Sequence, residues 1–262
     1  MTVVKSIYSE VLKLKYPPII WMVTFIIGIA LAIVFSAHYI DINRAILMGR
    51  NPWIRLNGSI GAVFSIFIGV PFLVLLISSA IHVEHQNHGF KQLYTLPKNR
   101  MVLILYKLFA LLLILFLTIL ILVLGQILTG YLLNVIYPET EFSYFKIPLF
   151  SMLKSYAYIA ISFLGVIGIQ FFLSLRFKGF LLPASIGIIA YIIGLILSSI
   201  SNTMSICFPY CYPAIARSQN MFDTSALNID QSVILNKVEV CSNVIFIVFV
   251  IICLITERRK NA

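Results

Sequence analysis

The chain has 262 residues, 61% of them hydrophobic and 11% charged, with a formal net charge of +10. A soluble domain has about a quarter of its residues charged, so water is not the main solvent here. Nucleic acid would also suit a basic chain, but these cations flank apolar runs instead of forming one basic, aromatic-studded surface, which excludes nucleic-acid binding as the reason for the charge.

In residues 1–18, Val4, Ile7, Tyr8, Val11 and Leu14 recur at helical spacing, and Lys5, Ser6, Ser9, Glu10 and Lys13 take the other face. This pattern predicts an interfacial helix with its lysines toward anionic lipid, ended by Pro17 and Pro18. Six runs free of Asp, Glu, Lys and Arg follow: 16–40, 56–81, 108–138, 155–175, 179–216 and 240–256. A span needs about 20 apolar residues. Buried backbone must pair with itself, so such runs are helices unless they close into a barrel, and none shows a barrel's alternation. The first run is too long for a cleaved signal and lacks its small-residue site. The fold class is therefore all-α, a single transmembrane domain with six spans.

Short loops rich in Lys and Arg stay cytoplasmic. With both termini inside, twelve of the 19 cations and three of the nine acids face the cytoplasm. The predicted location is a multi-pass protein of the cytoplasmic, or inner, membrane.

The second run carries Gly58, Gly61, Ser65 and Gly69, and the fifth Gly187, Ala190, Gly194 and Ser198. Small residues on one face let helices approach closely. The third run, extended back to Met101, makes a helix longer than the bilayer. Thr118, Gln126 and Thr129 form a weakly polar stripe on it, and Ser162, Gln170 and Ser174 form another on the fourth. Such groups either line a pathway or bond between helices. The fifth run exceeds bilayer length and contains Pro209 and Pro213, so residues 202–240 are expected to form a bent, partly re-entrant outer segment. Cys207, Cys211 and Cys241 fall near that face. An oxidising compartment would allow a disulfide from Cys241 to either of the others, but three cysteines leave one unpaired, and plain packing cysteines are the favoured reading.

Residues 81–100, IHVEHQNHGFKQLYTLPKNR, form the predicted cytoplasmic loop. Glu84 sits at the mouth of the second span, Gly89 breaks the chain, Phe90, Leu93, Tyr94 and Leu96 give a short apolar helix face, Pro97 stops it and Arg100 opens the third span. His82, His85 and His88 are spaced loosely enough that a solvated loop is a better reading than a metal site. None of the six runs holds Asp, Glu, Lys or Arg, which disfavours ion coupling, and the chain has no phosphate loop, nucleophile elbow or zincin motif.

The order of Glu84, Gly89, Lys91, Leu93, Pro97 and Arg100 between spans two and three resembles the coupling helix of permeases of type-2 ABC exporters, and Ser9 to Lys15 resembles their Glu-x-x-Lys-leucine opening. Gly89-Phe90 stands where that family usually has Gly-Thr, with a histidine cluster before it. The resemblance implies paired permease subunits, either two copies or a heterodimer, and separate ATPase subunits that bind ATP and Mg and receive the coupling helices, here through Glu84, Gly89, Phe90, Lys91, Leu93, Leu96, Pro97 and Arg100. It implies no cofactor or catalytic residue in this chain. Small permeases of this kind export hydrophobic peptides, bacteriocins, antibiotics or lipids, or confer immunity to them. The alternatives are a membrane scaffold or sensor that binds a cytoplasmic partner without transport, and a lipid-acting membrane enzyme.

Overall fold

The computed structural model describes residues 19–40, 51–86, 100–200, 202–220 and 229–259. The expected interfacial helix at 1–18 and residues 87–99 of the loop lie outside the described residues.

The described residues are helical apart from short turns, with no strand among them. Helix α1 (Ile19–Ile40) buries Val23, Ile27, Ala30 and Val34, one stripe at helical spacing, and exposes Phe25, Ile29 and Ile33. An apolar residue on both faces suits a helix between protein and lipid. Helix α2 (Pro52–Gln86) starts where the Asn51 side chain accepts the Trp53 N–H at 3.0 Å, with Pro52 in the first turn where no donor is needed. Helix α3 (Arg100–Ile136) has 37 residues, a length of about 55 Å. Beyond a 3-10 turn at Pro138–Thr140 come α4 (Leu149–Arg176) and α5 (Leu181–Ile200). A hairpin of α6 (Asn202–Cys207), a 3-10 turn at Pro209–Cys211 and α7 (Tyr212–Asn220) precedes α8 (Ile229–Arg259).

Five segments among the described residues are long and apolar enough to cross a membrane: Pro52–Gln86, Ile104–Ile136, Leu149–Arg176, Leu181–Ile200 and Lys237–Thr256. A shorter apolar stretch, Val23–Ala37, lies in α1. The protein is thus an all-α, multi-pass membrane protein. Two helices outrun the charge-free windows that predict them, because α2 continues through Glu84 and α3 begins before Lys107.

Inside α2, Val63–Ile68 is π-helical. Pro71 supplies no N–H, which leaves the carbonyls of Ile66 and Phe67 short of a donor in the π and α registers respectively. The Tyr191 hydroxyl of α5 donates to Ile66 O and, at 3.4 Å, approaches Phe67 O. A proline defect in one span is repaired by a tyrosine from another.

The core runs through α2, α3 and α4. Phe64 meets Phe163 edge to face, and fully buried Trp53 donates its indole N–H to Phe142 O at 3.0 Å while stacking edge-on against Phe142 and Tyr131. Helix α8 lies against α4. Its buried Ser242 hydroxyl points at the carbonyls of Ile161 and Ser162 and accepts the Gly165 N–H at 2.9 Å, entering the α4 ladder. A Cβ at Gly168 would come within 3.0 Å of Phe246 Cα, so the two backbones need a glycine there.

Candidate functional site

The two helices that carry the ends of the 81–100 loop are joined where the loop begins. Glu84 Oε2 in the last turn of α2 lies 2.6 Å from Lys107 Nζ in α3, with only 14% and 7% of their side chains exposed. Two desolvated charges hold only if each keeps the other, and removing one leaves an uncompensated charge. Helix α2 is tied on a second side as well. His82 Nδ1 is 3.2 Å from Lys178 O in the α4–α5 link, its ring is tilted near Phe180, and His85 makes a backbone hydrogen bond to Ser174. This end is braced to three elements, and the loop springs from the brace.

Of the predicted docking residues, Glu84 and Arg100 are described, Arg100 as the first residue of α3. Gly89, Phe90, Lys91, Leu93, Leu96, Pro97 and also His88 lie outside the described residues. Among the described residues no group of three or more His, Cys, Asp or Glu is placed to hold a metal.

The weakly polar residues of the third and fourth runs are all buried. Thr118 donates to Ile114 O, Thr129 to Gly125 O and Ser162 to Ile159 O, each within its own helix. Gln126 Oε1 accepts the Tyr156 hydroxyl at 2.8 Å across the α3–α4 contact, and its amide nitrogen has no partner among the described residues. Gln170 is a junction. Its Nε2 donates to Ser78 Oγ of α2 at 2.9 Å and to Pro183 O of α5 at 2.8 Å, and its Oε1 receives the Tyr210 hydroxyl at 3.4 Å. Ser78 and Ser174 hydroxyls are 3.5 Å apart.

At the far end, the α6–α7 hairpin folds back into the bundle. Tyr210, Cys211, Tyr212 and Ala216 are buried, and Cys211 Sγ donates to Gly194 O at 3.2 Å. All four cysteines are free, so no disulfide joins Cys241 to Cys207 or Cys211 in this structure. The three nevertheless gather around one residue. Burial first, then the neighbouring sulfurs of Cys241, Cys207 and Cys211, push the Tyr212 phenol up to about 12. Burial raises the Cys211 thiol to about 11, so it stays protonated at neutral pH.

The sequence pattern marks Lys107 only as one of the cytoplasmic cations flanking the runs, and gives no role to Ser78, Tyr156, Tyr191 or Tyr210. A signal existed for Lys107: an acid closes one apolar run and a base opens the next, so a tight connection brings them together. The tyrosines pair with groups 30 to 125 residues away, and no spacing rule finds such partners.

A family model described as ABC-2 family transporter protein matches residues 6–194. No curated protein and no solved structure matches the chain.

Proposed function

The chain belongs to the ABC-2 transporter family, and we propose that as the permease subunit of an ABC exporter it is driven by a separate ATPase subunit docked on residues 81–100. The observation that carries the coupling is the buried Glu84–Lys107 pair, which makes the two legs of the loop one body with α4 behind them. A push on the loop is then delivered to α2, α3 and α4 together, and cannot be absorbed by parting the legs.

In this reading the partner ATPase binds ATP and Mg, the termini are cytoplasmic, and two permease subunits stand side by side, as a homodimer or a heterodimer. Phe90, Leu93 and Leu96 anchor the loop in the ATPase, since apolar and aromatic side chains carry most interface energy, with Lys91 at the rim. The cargo is hydrophobic or amphipathic, such as a peptide, antibiotic or lipid, as in the small permeases that the chain resembles.

Leu93→Asp would bury a lone carboxylate in that contact, at a cost of several kcal/mol. The expected outcome is normal membrane insertion with the ATPase lost on co-purification and export abolished. An ATPase recovered equally with wild type and variant would place the contact elsewhere, and none with the wild type would favour the scaffold alternative.

A further inference from the structure

The polar groups of the bundle form a chain between its two ends. From the hairpin, the Tyr210 hydroxyl reaches Gln170 Oε1 at 3.4 Å, and Gln170 Nε2 reaches Ser78 at 2.9 Å and Pro183 O at 2.8 Å. Ser78 lies 3.5 Å from Ser174, to whose backbone His85 bonds, and His85 is the neighbour of Glu84 in the ion pair. Gln170 is fully buried, so each of these bonds is made without competing water.

The links are unequal. Those from Gln170 to α2 and α5 are short and buried, while the one to Tyr210 is long, near the limit at which a hydroxyl still bonds. Helix α5 leaves room for this contact. A Cβ at Gly187 would fall 2.5 Å from Gln170 Oε1, and one at Gly194 would fall 3.3 Å from Tyr210 Cβ and 3.5 Å from Cys211 Sγ. The small-residue face of α5 thus seats the hairpin and the Gln170 amide two turns apart. Gly194 lies six residues before Ile200, so the Pro209–Cys211 turn enters the bundle about 9 Å below the end of α5.

We propose that Gln170 is a positioning residue, a latch that holds the far-end hairpin through Tyr210 and releases it when the braced helices at the loop end move. The proposal rests on the exporter reading for the source of that movement, but the latch itself does not. When α4 shifts against α5, the 3.4 Å bond parts first because it is the longest of the three that Gln170 makes, and the hairpin is freed while Ser78 and Pro183 stay bound. The path between the two ends is then a chain of named contacts, and in this proposal the Tyr210–Gln170 bond, made or parted, is the two-state element that coupling requires.

Cys211 is buried in the hairpin turn with its thiol on Gly194 O, so it reacts only when the hairpin is free and reports the hairpin. Its labelling by a water-soluble maleimide, quantified by peptide mass spectrometry in membrane fragments open on both sides, tests the latch. Losing one buried hydrogen bond should shift the held-to-free ratio about fivefold, so Tyr210→Phe and Gln170→Met should label Cys211 about that much faster. Tyr156→Phe, which removes a buried hydroxyl outside the chain, should label as wild type does. Equal rates in wild type and Tyr210→Phe overturn the latch, as does equal acceleration in Tyr156→Phe, which would be general loosening. In the complex with its ATPase, trapping with ATP and vanadate should bring wild type to the Tyr210→Phe rate and leave Tyr210→Phe unchanged. Wild-type labelling that trapping does not alter overturns the coupling. Failure of any ATPase to co-purify overturns the exporter reading, while the comparison without nucleotide still decides the latch.

Discussion

At the loop end, α2 is held by a 2.6 Å ion pair to α3 and by two histidines on the backbone at the end of α4 and just beyond it, whereas at the far end the hairpin is held by neutral groups: long hydroxyl bonds from Tyr210 and Ser205, a thiol contact and packing on α4, α5 and α8. The first set uses charges shut away from water, which are costly to separate. The second uses neutral groups whose net contribution is about 1 kcal/mol each. Under the proposed coupling, a bundle built this way is stiff where the ATPase would push and more compliant at the opposite end. The family match divides the molecule similarly, since it covers residues 6–194 and stops before the hairpin.

The contrast can be broken at several points. The largest effect should come from Lys107→Met, which leaves Glu84 buried without its partner and costs about 3–5 kcal/mol. Thermal unfolding in detergent should show it, and Glu84→Gln together with Lys107→Met should recover most of the loss, because an apolar or neutral pair carries no stranded charge. Next is Gln170→Leu, which strips partners from Ser78, Pro183 O and Tyr210 at once and should cost about 2 kcal/mol in the same measurement. An undiminished midpoint would mean those groups find new partners. The smallest is Tyr191→Phe, about 1 kcal/mol, because it returns only the carbonyls that Pro71 leaves short of a donor. Hydrogen exchange within Val63–Ile68 should rise while exchange at the loop end stays as in wild type.

The helices were legible because hydrocarbon imposes the same demand on every residue of a span, and a window of composition captures it. The bend in the fifth run was legible for a related reason, since an apolar stretch past bilayer length with Pro209 and Pro213 cannot remain one straight helix. Lys107 was read as a flanking cation because a scan that stops at each charge cannot see a charge neutralised from another helix. The glycines of the fifth run read as a helix–helix seam. Gly187 does meet Val74 of α2, but Gly194 meets the Pro209–Cys211 turn, which composition does not distinguish from a span. Gln170 was singled out for its polarity alone. Its role needed the positions of Ser78, Pro183 and Tyr210, up to 92 residues away.

In the proposed coupling, force enters through residues 81–100. A photo-reactive amino acid at Leu93, activated in intact cells, tests it most directly, with adducts identified by mass spectrometry. The expected result is one dominant adduct containing a protein with a phosphate-binding loop, lost when the label is moved to lipid-facing Phe116. A membrane-inserted permease that cross-links at Leu93 to no ATPase, or equally from Phe116, would contradict it.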